Sequence, residues 1–79
     1  MGGTCVRNNI RRLRFEHDEM TQQQLADAVG VTRQTIVAVE KEKYSPSLEA
    51  AFRIARVFGV PLEEVFEYGD SAHRKRVAK

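Results

Sequence analysis

An all-α fold of five short helices is what this sequence predicts, on three observations. Apolar residues recur at three- and four-residue spacings in five segments, with no strand-like alternation between them. Residues that start and stop helices punctuate those segments: Thr21, Thr32 and Ser47 at starts, Gly30 and Gly59 at ends. A chain of 79 residues, 42% hydrophobic and 30% charged with two prolines, also suits one ordinary globular domain.

The first helix is expected from about residue 9 to residue 17, with Asn8 or Asn9 as N-cap, Ile10 and Leu13 inward, and Arg14 on the core-facing edge. The second begins at "TQQQ", a capping box in which Thr21 accepts from the backbone of Gln24 and the Gln24 side chain reaches back. Leu25, Ala26 and Val29 form its buried stripe, and Gly30 closes it in a left-handed conformation. Thr32 caps the third helix after a very short turn. The fourth starts at Ser47 and is expected to bury Leu48, Phe52, Ala55 and Phe58 before Gly59 stops it. Pro61 opens the fifth, "PLEEVF", where Glu63 and Glu64 complement the helix dipole.

Composition excludes several classes of function. The lone Cys5 has no partner for an internal disulfide, and His17 and His73 lack metal-ligand spacing, so no metal site and no cofactor are expected. No apolar run is long enough for a membrane span, and the expected location is the cytoplasm. Paired carboxylates, a nucleophile beside a base and a glycine-rich phosphate loop are all missing from the sequence, which argues against an enzyme. The net charge of +2 is small but unevenly placed. Residues 16–29 hold four acids and no Lys or Arg, whereas basic residues cluster at 7–14, 33–43 and 74–79. Such asymmetry fits a polyanion facing some surfaces and not others.

The third helix carries the sharpest signal. On a helical wheel Thr32, Ile36, Val39 and Glu40 share one arc, and Gln34, Val37, Ala38 and Lys41 the opposite one, with Arg33 at its flank. The outer arc has no acid, and its long polar side chains stand in the first turn, where the helix dipole disfavours a cation. A solvated face more usually mixes charges of both signs. A helix that enters a DNA groove needs this layout: first-turn residues reach base edges while small residues further on let the backbone approach. Arginine suits guanine and glutamine suits adenine in the major groove.

From Gln22 to Lys41, "QQQLADAVGVTRQTIVAVEK" resembles the helix-turn-helix of the Cro and phage-repressor (XRE) family, and the likeness extends from about residue 8 to residue 68. It is similar in particular to a short, stand-alone subgroup that includes the cytolysin repressor. The resemblance implies a five-helix, lambda-repressor-like domain over residues 8–68, with a small terminal β-ribbon at a dimer interface; the residues beyond it, 69–79, read from their own composition as a basic, flexible tail. It implies base contacts from Arg33, Gln34, Thr35, Val37 and Ala38, and phosphate contacts from Gln22, Thr32, Lys41, Lys43 and Tyr44. It also implies a structural ion pair between Arg14 and Glu40. Arg11 and Arg12 read more simply as solvated surface. Where relatives often carry glycine after "EK", this chain has Glu42. Either the third helix ends without a left-handed glycine, or Glu42 turns away from DNA.

The implied function is a sequence-specific double-stranded DNA-binding regulator, a repressor that binds a palindromic operator as a homodimer. Its expected dimer face comprises Ile54 and Val57 on the fourth helix, with Leu62, Val65, Phe66 and Tyr68. The alternative is an interaction module, such as an antitoxin or coactivator-like protein, that uses the same fold to hold a protein partner.

Overall fold

The computed structural model describes residues 5–69, and the expected basic tail lies almost wholly outside them. The chain runs β1 (Val6–Asn8), α1 (Ile10–Glu16), α2 (Gln22–Val29), α3 (Arg33–Glu40), α4 (Leu48–Phe58), α5 (Leu62–Val65) and β2 (Phe66–Tyr68). The two strands pair antiparallel, Val6 with Tyr68, Arg7 with Glu67 and Asn8 with Phe66. The small ribbon is therefore formed within one chain and joins the segment before α1 to the segment after α5.

Local chemistry sets the helix boundaries. Thr21 Oγ1 accepts from Gln24 N at 3.0 Å while Gln24 Oε1 accepts from Thr21 N at 2.9 Å, completing the capping box. Thr32 and Ser47 cap α3 and α4 by a single bond each, accepting from Thr35 N at 3.2 Å and Ala50 N at 3.1 Å. Asn9 stands at the N-cap of α1 but makes no side-chain cap bond; Asn8 Oδ1 takes the Ile10 N–H instead, at 3.1 Å. The Asn8 amide then donates to Val39 O at 2.8 Å and so joins β1 to the end of α3.

Ile10, Leu13, Leu25, Ala26, Val29, Ile36, Val39, Ile54, Ala55, Phe58 and Val65 form a single core. α3 turns Ile36 and Val39 into it, as the wheel predicts. α4 is rotated from the expected face. Leu48 and Phe52 are 68% and 50% exposed, while Ala51 and Ile54 are buried with Ala55 and Phe58. Apolar residues lie around so much of this helix that periodicity alone does not select a side. The guanidinium of Arg53, which donates to Val29 O at 3.1 Å, anchors the observed rotation.

Packing of α4 and α5 against the core corrects part of the expected dimer face. Ile54 and Val65 are 1% and 0% exposed within the protomer, and a side chain already buried has no surface left to cover. Val57, Leu62 and Phe66 are half-buried against the core, and Tyr68 is exposed.

Candidate nucleic-acid interface

α2 and α3 meet through a turn of three residues. Gly30, with φ of 89°, closes α2, its N–H bonding to Ala26 O at 2.8 Å; Val31 packs on the core and Thr32 caps α3. A side chain at position 30 would adopt a strained backbone conformation and would also meet the Arg53 guanidinium at 3.3 Å. The turn thus fixes how α3 sits on α2.

With the inner side of α3 held by Ile36 and Val39, its first turn points outward. Arg33 and Gln34 are exposed, and Val37 and Ala38 are half-exposed beside them. Thr35 is also half-exposed, but its hydroxyl lies 3.0 Å from that of Thr32 and takes part in the cap. Lys41, Lys43 and Tyr44 are exposed at the end of α3 and in the loop that follows. Neither Arg33 nor Lys41 has an ion-pair partner among the described residues, so both charges face solvent.

Behind this face Glu40 links three helices. Arg14 grips it with both sides of its fork, Nε to Oε2 at 2.7 Å and Nη2 to Oε1 at 3.1 Å, and the two side chains are only 15% and 9% exposed. Arg14 also donates to Met20 O at 2.8 Å, fixing the start of the chain into α2. The Gln22 amide donates to Glu40 Oε1 at 3.3 Å. That bond uses one of the two N–H groups of the Gln22 amide, at the first position of α2. The wheel places Arg14 and Glu40 on inward edges, but the tie to Gln22 is not legible from spacing. It depends on how α2 and α3 cross.

α3 ends in a left-handed turn although no glycine is there. Glu42 has φ of 61°; its N–H bonds to Val39 O and that of Lys43 to Ala38 O, both at 3.0 Å, which is the double closure of a Schellman motif. Glutamate here holds the left-handed conformation that glycine adopts more readily, at a cost in backbone strain.

A cleft of about 1120 Å³ lies beside α3, between α1 and the start of α2. Arg11, Arg12 and Phe15 line it from α1, while Arg33, Val37 and Lys41 line it from α3. Arg11 and Arg12 are both exposed, as expected, and Arg11 stands one turn before Arg14 on the same side of α1.

The profile of the helix-turn-helix family matches residues 10–65. A helix-turn-helix-type transcriptional regulator of Methanocaldococcus jannaschii, itself uncharacterized, is 49% identical over 65 residues, covering 82% of this chain and 97% of its own length. The cryptic phage CTXphi transcriptional repressor RstR of Vibrio cholerae is 40% identical over 58 residues, covering 73% of this chain and 51% of the repressor. Among solved structures, a Bacteroides fragilis protein suggested to bind DNA superposes with a TM-score of 0.67 at 22% identity, covering 78% of this chain and 98% of that one. That last likeness concerns the fold.

Proposed function

Because the chain belongs to the helix-turn-helix family and is a DNA-binding transcriptional regulator, we propose that it acts as a repressor, binding a palindromic operator as a homodimer. The observation that carries this reading is the acid-free outer face of α3, with Arg33 and Gln34 exposed in its first turn above a buried inner face. In this reading Arg33 and Gln34 meet base edges in the major groove, with Val37 and Ala38 close enough for apolar contact with a thymine methyl. Gln22, Thr32, Lys41, Lys43 and Tyr44 hold the phosphate backbone and fix the register. Arg14 and Glu40 keep the reading helix and Gln22 in a constant relation.

A single short helix covers few base pairs, so two-fold pairing of protomers supplies both affinity and length of site. The face proposed for pairing now comprises Val57, Leu62, Phe66 and Tyr68, where apolar surface reaches the exterior around α5 and β2. Selection from a random duplex library at near-physiological salt tests the proposal, because nonspecific attraction is weak there. Enrichment of a two-fold symmetric sequence with half-sites about 34 Å apart is the expected result. Failure of folded protein to enrich any sequence would favour the interaction-module reading.

A further inference from the structure

We propose that the exposed side of α1, Arg11 with Phe15 one turn later, is the outer wall of a groove that holds the sugar-phosphate backbone of one DNA strand beside α3. The inference rests on the DNA-binding reading and extends its contacts to a helix outside the helix-turn-helix. Arg11 and Phe15 are four residues apart and share a side of α1 next to Arg14. Both line the cleft that Arg33, Val37 and Lys41 line from the opposite side, so the cleft continues directly from the reading face.

Its charge matches a polyanion. Five cations line it (Arg11, Arg12, Arg14, Arg33, Lys41) against two carboxylates, Glu19 and Glu40. Glu40 is already neutralised by Arg14, and Arg12 is engaged by Glu16 at 3.3 Å. Arg11 has no ion-pair partner among the described residues and is exposed. Its charge is therefore available to a phosphate without first leaving a carboxylate.

Phe15 supplies a second, different argument. It is 69% exposed, the most exposed large apolar side chain among the described residues, on the wall of a basic cleft. A deoxyribose offers an apolar face between consecutive phosphates, and packing against it would remove the ring from water. Arg11 thus holds the charge of the backbone and Phe15 its sugar. The cleft is open to solvent and is lined in turn by α1, the start of α2 and α3, which suits a length of chain rather than one enclosed anion.

The test measures affinity of the full chain for a mixed-sequence duplex as a function of salt, for wild type and for Arg11→Gln, Phe15→Ser and, as a control, Arg56→Gln, an exposed arginine of α4 outside the cleft. One phosphate contact contributes about 0.9 to the slope of log K against log salt, so a fourfold rise in salt should cost wild type about 3.5-fold more affinity than Arg11→Gln. Arg56→Gln should change the slope by less than half as much, and Phe15→Ser should weaken binding at every salt with the slope retained. An unchanged slope in Arg11→Gln, or an equal change in Arg56→Gln, would overturn the placement, the second because net charge alone would then explain it. Arg33→Ala on the selected operator separates the two levels of the proposal. Position-specific loss there, with no effect of Arg11→Gln, removes only the α1 wall, whereas absence of duplex binding by wild type removes the DNA reading as well.

Discussion

α3 and α4 both present apolar residues on more than one side, yet they resolve that ambiguity differently. In α3 the long polar side chains and the charges that face solvent crowd onto one arc, leaving Ile36 and Val39 only one way to point. In α4 the apolar residues Leu48, Ala51, Phe52, Ile54, Ala55, Val57 and Phe58 reach nearly all round, and the buried side is settled by packing against α2 and by Arg53 reaching Val29 O. A helical wheel identifies a face when polar and apolar arcs are separate. Where they are not, the neighbours decide.

Substitutions can break or sharpen this contrast. The largest effect is expected behind α3: Arg14→Ala leaves the Glu40 carboxylate uncompensated at 9% side-chain exposure and should cost about 3–5 kcal/mol, measured by chemical denaturation. Next, Ile54→Ala should lose about 2–5 kcal/mol from the core. Phe52→Ala, on the exposed side of the same helix, should stay within about 0.5 kcal/mol of wild type. Comparable losses for these two would mean that α4 is rotated toward the face its sequence suggests.

The difference between the two helices also explains what was legible in the sequence. Thr21, Gln24, Gly30, Thr32, Ser47 and Gly59 mark helix ends through local hydrogen bonds or backbone conformation, which involve residues only a few positions apart. The outward side of α3 followed from the same local logic, because its polar and apolar residues fall on separate arcs, and the structure exposes Arg33 and Gln34 while burying Ile36 and Val39. What was not legible depends on contacts between distant segments. The Gln22 bond to Glu40 spans 18 positions, the Asn8 bond to Val39 spans 31, and the burial of Ile54 and Val65 comes from packing of the whole chain. The α1 side of the cleft belongs to this second group: Arg11 looks like any solvated arginine until α1 is laid beside α3.

A smaller effect separates the ends of α2 and α3, which both close in a left-handed residue, one a glycine and one a glutamate. Glu42→Gly should stabilise the fold by about 1 kcal/mol, seen as a higher thermal midpoint, because it removes strain at φ of 61°. Gly30→Ala should do the reverse, since alanine meets both an unfavourable φ of 89° and the Arg53 guanidinium.

The central claim is a division of labour in which the outer face of α3 discriminates bases while the start of α2 holds the backbone. Its most direct test uses the selected operator and a set of duplexes each changed at one base pair, titrated with wild type, Arg33→Ala and Gln22→Ala. Arg33→Ala should lose about 1–3 kcal/mol of discrimination at one position, while Gln22→Ala should weaken binding evenly across the set. An even loss for Arg33→Ala would contradict it, because the first turn of α3 would then be one more grip on phosphate.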